Sequence, residues 1–262
     1  MADGRVLLIG CGRLGSAIVE GWLDHGPVAG SDLLIQTPSP KPMADRAAAG
    51  GAILNPGAAE IGRAARIVLA VKPAVWRAVL EPLVQHLHPR ATVVSVMAGV
   101  RSADIAAVAT RPVARVMPTT AVAQGRGVAA VWAEEDISRS IASALFAPLA
   151  DVVPLASEAD LDVATAVAGS GPAFVLAFVQ AMSEAGVAQG LDPEITARLA
   201  RGALRSAAAQ SEAQTALDDL IARIASPGGT TSAGLSAMSD VSTLAARAIS
   251  AATERARDLS GS

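Results

Sequence analysis

The sequence predicts an α/β fold in two parts: a parallel sheet wound with helices over residues 1–154, then an all-helical domain over 155–262. Three observations predict it. Short, β-branched apolar runs alternate with helical patterns as far as Pro154. A G-x-G-x-x-G pattern lies where the first run gives way to the first helix. Beyond Pro154 the strand signal disappears and Ala-rich helical patterns continue to the end.

The runs are Val6 to Ile9, Leu33 to Ile35, Ile67 to Val71, Thr92 to Val96 and Val113 to Val116. Their rhythm with intervening helices is that of parallel βαβ units, and their continuous apolarity implies that both sheet faces are covered. Between them, Val75, Val79, Leu83 and Leu87 recur every four residues and predict a helix over 74–87. In the second half, Asp192-Pro193 supplies an N-cap and a first-turn proline for a helix through Ile195 and Leu199. Leu217, Leu220, Ile221 and Ile224 follow helical spacing until Ser226-Pro227-Gly228-Gly229 stops the helix. A last helix is expected from about Val241 to Leu259. These Ala-rich helices make a thin core alone, and burial against a second subunit is the simplest remedy.

Composition excludes several functions. A net charge of −3 and a pI near 5.6 leave no basic field for nucleic acid. The single cysteine, Cys11, cannot form an intramolecular disulfide or a zinc cluster, and His86 and His88 lack a nearby carboxylate, so no metal site is expected. The uncharged run Val163 to Ser183 is nominally long enough to span a membrane, but Gly169-Ser170-Gly171-Pro172 interrupts it, and it reads as a buried helix preceded by a loop. With no secretory leader pattern, a soluble cytoplasmic protein without membrane partners is expected. Beyond His88 the chain contains no His, Lys or Tyr, so any later proton donor must be Asp, Glu, Ser, Thr or water.

Chemistry concentrates at glycine-rich turns. Gly10-Cys11-Gly12-Arg13-Leu14-Gly15 follows a strand and opens a helix, the setting of a Rossmann-type dinucleotide site in which glycines admit the pyrophosphate and the helix N-terminus supplies N–H donors. Arg13 can also reach phosphate. The carboxylate expected at the tip of the second strand to bind a ribose 2′-OH is missing. Thr37-Pro38-Ser39-Pro40-Lys41 stands there instead, and its hydroxyls and ammonium suit a 2′-phosphate, favouring NADPH over NADH. Two further loops, Ala168 to Ala173 and Ser226 to Thr231, lead into helices, and the second offers consecutive amides and the Thr230 and Thr231 hydroxyls to a small carboxylate. Cys11 and Trp22 read as packing residues, and Glu212 as a solvated helix charge before a substrate-placing group.

The ordered set of motifs resembles the pyrroline-5-carboxylate reductases. The resemblance runs through Ile9 to Gly15, Thr37 to Pro40, Ala70-Val71-Lys72-Pro73, Ala98-Gly99, Arg115 to Pro118, Gly169 to Ala173 and Ser226 to Thr231, over nearly the whole chain. It implies a Rossmann domain, a helical dimerisation domain, and NAD(P)H-dependent reduction of 1-pyrroline-5-carboxylate to proline, the last step of proline biosynthesis. It also implies a homodimer or larger homo-oligomer, cofactor contacts at Ala70, Val71, Lys72, Pro73 and Ala98, and a substrate carboxylate held by Ser226, Gly228, Gly229 and Thr230 with Thr231 beside the ring nitrogen. The family's Met-Pro-Asn-Thr-Pro is Met117-Pro118-Thr119-Thr120-Ala121 here, its Leu-Lys-Asp is Leu220-Ile221-Ala222, and Gly57 replaces a frequent Asn. Two alternatives remain. A β-hydroxyacid dehydrogenase-like enzyme shares the two-part organisation but needs a lysine in the helical half, and a non-catalytic NADP(H)-binding regulatory protein would explain the altered 119–121 segment.

Overall fold

The computed structural model describes residues 4–211 and 215–260. Eight strands form one sheet: β1 Val6–Ile9, β2 Leu33–Gln36, β3 Ile53–Leu54, β4 Arg66–Leu69, β5 Thr92–Ser95, β6 Val113–Pro118, β7 Gly127–Ala133 and β8 Ala150–Pro154. Their order is β3-β2-β1-β4-β5-β6-β7-β8, parallel throughout except for the antiparallel β6–β7 pair. The five expected runs are all strands, while β3, β7 and β8 are additions to the sequence reading.

Strands buried on both faces need two helical layers. On one face, Val6 and Leu8 pack with residues of α1 (Arg13–His25), α2 (Pro42–Ala49) and α6 (Asp136–Phe146). On the other, Leu7 and Ile9 pack with residues of α3 (Ala58–Ile61), α4 (Trp76–Leu80) and α5 (Ser102–Ala109). Trp22 is a core residue of α1, and its indole N–H donates to the Leu145 carbonyl at 2.9 Å, so burial of the ring leaves no polar atom unsatisfied.

The single helix expected over 74–87 is three short pieces. A 3₁₀ turn, Pro73–Val75, precedes α4, and a second 3₁₀ segment, Glu81–His86, follows it. Pro82 lacks the N–H that would continue the α ladder, so the chain tightens there. The buried side chains are Trp76, Leu80 and Leu87, while Val75 is exposed.

The chain divides into two compact units: residues up to Gly169 together with the chain from Ala252, and Ser170–Ala251. The expected boundary at Pro154 coincides with the end of β8, and the first unit continues through α7 (Asp160–Ala164) and a π-helical turn, Thr165–Gly169. The second unit contains α8 (Gly171–Ala188), α9 (Pro193–Ser211), α10 (Leu217–Ile224), α11 (Thr230–Ala237) and most of α12 (Val241–Ser260). The Asp192 carboxylate caps α9 by accepting from the Glu194 and Ile195 N–H groups at 2.9 and 3.2 Å.

The run from Val163 to Ser183 differs from its reading. It lies within one helical stretch, Asp160–Ala188, in which the Gly-Ser-Gly-Pro segment accompanies a π turn in place of a loop. This stretch is long and apolar enough to cross a membrane by length and composition. Nor is α8 buried within this chain: Phe174, Val175, Leu176 and Phe178 are exposed. In α10 only Leu220 of the four apolar positions is buried.

Close packing of α1 gives a direct test. A Cβ built on Gly21 would lie 2.3 Å from the Val122 carbonyl oxygen, a backbone atom with nowhere to retreat. Overpacking costs about 1–3 kcal/mol and alanine returns ~1 kcal/mol of helix propensity, so Gly21→Ala is expected to destabilise the protein by up to about 2 kcal/mol in denaturant unfolding. Equal or greater stability would contradict this packing.

Candidate functional site

The parallel strands bring their C-terminal loops to one edge of the sheet. Ligands of such sheets bind where the winding reverses, here between β1 and β4. Gly10, Cys11 and Gly12 form the turn after β1, and Arg13, Leu14 and Gly15 open α1. Gly10 has φ +100°, and a Cβ on it would stand 2.6 Å from the Ala70 carbonyl oxygen; a Cβ on Gly15 would stand 2.1 Å from that of Gly10. Both must be glycine for β1, β4 and α1 to meet. Gly12 is different. Nothing lies within 4 Å of where its Cβ would be, and it caps α1 without a side-chain hydrogen bond. The open space above Gly12, the uncapped first-turn amides and the absence of an acid in that turn fit the pyrophosphate of a dinucleotide. Cys11 is buried, its Sγ 3.5 Å from the Ser16 Oγ, as a packing residue should be.

Thr37, Ser39 and Lys41 sit between β2 and α2 around a cleft of ≈ 190 Å³ that Asp45 and Asn55 also line. Thr37 is buried and its hydroxyl donates to the Ser39 carbonyl at 3.1 Å, holding the turn shut, while Ser39 is exposed and Lys41 half-buried. Asn55 is a residue the sequence reading missed. Its side-chain oxygen accepts the Thr37 N–H at 2.9 Å, and its backbone adopts φ +48°. Asn is among the few residues that tolerate that conformation, so Leu54-Asn55-Pro56-Gly57 was a readable turn signal.

Ala70, Val71, Lys72 and Pro73 follow β4 at the same edge, the Ala70 N–H donating to the Ile9 carbonyl at 2.8 Å. Lys72 and Pro73 are exposed, as is Ala98 after β5. At the end of β6, Thr119 pairs with Val128 through its N–H (2.9 Å) and through its hydroxyl, which accepts the Val128 N–H at 3.1 Å. The hydroxyl is thereby tied to β7.

In the second unit, Ser226, Gly228, Gly229, Thr230 and Thr231 gather at the N-terminus of α11. The Gly229 N–H donates to the Ser226 carbonyl at 3.0 Å, which folds the loop back on itself. The N–H groups of Thr230, Thr231 and Ser232 have no partner among the described residues, nor do the hydroxyls of Thr230 and Thr231. The first turn carries no acid. Such a turn can hold a small carboxylate. Glu212 lies outside the described residues.

Residues 158–259 match the family described as pyrroline-5-carboxylate reductase dimerisation, and residues 5–99 match the family described as NADP oxidoreductase coenzyme F420-dependent. A pyrroline-5-carboxylate reductase of Pseudomonas aeruginosa is 30% identical over 99% of this chain and 98% of its own length. The chain belongs to the pyrroline-5-carboxylate reductase family. Among solved structures, a pyrroline-5-carboxylate reductase from Coxiella burnetii matches with a TM-score of 0.90 and 25% identity, covering 98% of this chain and 99% of that one. The Plasmodium falciparum pyrroline carboxylate reductase, solved with NADP bound, shares the fold at a TM-score of 0.80 and 23% identity, with 99% of both chains covered.

As a member of this family, the chain is an NAD(P)H-dependent oxidoreductase. Its helical half is the part matched by the dimerisation family, and it is the half whose apolar side chains are exposed in the single chain. Residues 119–121 lie between β6 and β7, where the Thr119 hydroxyl accepts the Val128 N–H and a 3₁₀ turn, Thr120–Gln124, follows.

Proposed function

We propose that this protein reduces 1-pyrroline-5-carboxylate to proline with NADPH as its preferred cofactor and NADH as the weaker one. The observation that carries the reading is the Ser226 to Thr231 loop, with free amides and two free hydroxyls at the start of α11. It offers several aligned donors and no negative charge to a cyclic imino acid whose carboxylate must be fixed before its ring can react.

When bound, the reduced nicotinamide supplies the hydride that adds to C5 of the imine. The proton that completes the amine is already on the nitrogen of the iminium form. A general acid within the helical half is therefore unnecessary, which suits a chain with no His, Lys or Tyr after His88. The same absence argues against a β-hydroxyacid dehydrogenase, whose alcohol–ketone chemistry needs the missing lysine. Gly228, Thr230 and their neighbouring amides are assigned to the substrate carboxylate, and Ser226 to keeping the loop closed. Thr231 is assigned to the ring nitrogen, where its hydroxyl orients the substrate and stabilises the changing charge without transferring a proton. Gly10 to Gly15 and Arg13 are assigned to the pyrophosphate, and Ala70 to Pro73 and Ala98 to the dinucleotide beyond it. Ser39 and Lys41 are assigned to the 2′-phosphate, and Thr37, whose N–H and hydroxyl are donated to Asn55 and to the Ser39 carbonyl, to holding their turn.

The exposed apolar face of α8 supports a homodimer formed through the helical half. A second subunit would remove from water the exposed parts of Phe174, Leu176 and Phe178, which are 37%, 58% and 45% exposed, each stabilising by about 1 kcal/mol, roughly half of the full-burial value.

Two substitutions test these assignments. Lys41→Ala should reduce the preference for NADPH over NADH by about 1–2 kcal/mol, the size of a partly exposed charge-assisted contact, in titrations with both cofactors. An unaltered preference would sink the 2′-phosphate assignment. Thr231→Ala should lower kcat/KM for 1-pyrroline-5-carboxylate by roughly ten- to a hundredfold, equivalent to ~1–3 kcal/mol, with NADPH affinity nearly unchanged and Thr231→Ser retaining most activity. Full activity of the alanine variant in a nicotinamide-absorbance assay would refute the contact, and a wild-type protein that turns over no 1-pyrroline-5-carboxylate would leave the regulatory alternative standing.

A further inference from the structure

Residues 96–101 join β5 to α5 at the edge of the sheet that carries the turns after β1, β2 and β4, and Ala98–Arg101 is the segment of that loop between Met97 and Ser102. Side chains hold both of its ends. At the first end, the Met97 N–H donates to the Ser95 Oγ at 3.3 Å, and the Met97 carbonyl accepts from the Arg115 guanidinium at 3.5 Å. At the other, Ser102 donates its backbone N–H (2.7 Å) and its hydroxyl (2.9 Å) to the two oxygens of the Glu158 carboxylate. Arg115 and Glu158 are themselves joined at 3.0 Å. One ion pair thus pins both ends of a four-residue loop.

This pair is a poor way to build a stable core. Arg115 is only 7% exposed, inside the otherwise apolar strand β6, and its Nε has no hydrogen-bond partner among the described residues. Burying a charged group with an unmade hydrogen bond is costly, and apolar residues of similar volume commonly match or exceed the stability of such a pair. What an apolar pair could not do is fix the position of two separate main-chain segments. Directionality is what the guanidinium and carboxylate add. Two residues further along β6, Met117 packs against Gly169, where a Cβ would stand 3.3 Å from the methionine sulfur. The strand that carries Arg115 therefore also touches the π turn ahead of α8.

Resting on the proposed reduction, we infer that Arg115 is a positioning residue: with Glu158 it fixes the Ala98–Gly99 turn against which the nicotinamide end of the cofactor is placed. The phosphates have their own partners elsewhere, at Gly12 and Lys41. Loss of the clamp should therefore disturb placement of the reacting ring far more than cofactor affinity.

The test uses the full-length protein with NADPH and compares wild type with Arg115→Met, Arg115→Lys and Glu158→Gln. Four quantities are read: thermal midpoint, NADPH dissociation constant, emission of the bound reduced nicotinamide, and kcat with KM for 1-pyrroline-5-carboxylate. Amide exchange over residues 97–103 is followed in parallel. Arg115→Met should fold, bind NADPH within about threefold of wild type, and exchange faster over 97–103, while its kcat falls about tenfold or more and the nicotinamide emission moves toward that of free NADPH. Arg115→Lys, which keeps a charge for Glu158, should recover part of kcat and part of the emission shift. Unchanged kcat and emission in Arg115→Met would overturn the inference. So would a fall in kcat that merely follows a lower thermal midpoint or a weaker NADPH affinity across the three variants. If wild type itself reduces no 1-pyrroline-5-carboxylate, the proposed function fails, and the emission and exchange readings still decide whether the clamp places the ring. Should Arg115→Met not fold, the same comparison is made with Glu158→Gln, which keeps the volume and removes the charge.

Discussion

Everything in the sheet-bearing unit depends on the close meeting of β1, β4 and the first turn of α1. Gly10 passes so near the Ala70 carbonyl, and Gly15 so near the Gly10 carbonyl, that no side chain fits at either place. The Gly10 N–H donates to the Gln36 carbonyl and the Ala70 N–H to the Ile9 carbonyl, so the same few residues set the heights of three neighbouring strands. These strands run parallel, so the turns after β1, β2, β4 and β5 lie at a common edge, and the meeting sits where the winding of the sheet reverses along it. The loops at that edge are consequences of that packing, and Gly12 is the place where the packing has been left open.

The two units are stabilised in different ways. The sheet-bearing unit buries apolar side chains on both faces, with a separate cluster on each. The helical unit, described alone, buries few side chains, and the apolar faces of α8 and α10 point outward. Helices rich in alanine have little volume to pack with, and much of their stability has to come from a surface outside the single chain. Membership of residues 158–259 in a dimerisation family accounts for that exposure in a way that length and hydropathy of α8 do not.

Elements whose information is local were legible in the sequence. The β-branched runs gave five of the strands, the glycine spacing gave the turn into α1, and Asp192-Pro193 gave the start of α9. Strand β7 escaped because Gly-Val-Ala-Ala-Val-Trp-Ala has no strong strand pattern, and its state is decided by pairing with β6 and β8. The four-residue apolar repeat over 74–87 does not survive Pro82, and the break expected at Gly169 is a π turn followed by a single bent residue, Ser170, before Pro172 enters the first turn of α8. The clamp of Arg115 and Glu158 was invisible for a different reason. Its partners are 43 residues apart, and no periodicity links them. Asn55 and Thr37 stand 18 residues apart, and only the turn signal at Asn55 was within reach.

The central claim, that the open space above Gly12 serves the cofactor and not the fold, is tested most directly by Gly12→Ala. Its backbone, at φ −78° and ψ −159°, accepts alanine, and the new Cβ would have no atom of the described residues within 4 Å beyond its own chain neighbours and helix backbone. The account predicts a stability loss of no more than about 1 kcal/mol, the size of an N-cap preference, together with a fall in NADPH affinity of at least about tenfold, because the methyl group occupies the pyrophosphate's place. Retention of wild-type NADPH affinity by the stable variant would contradict it.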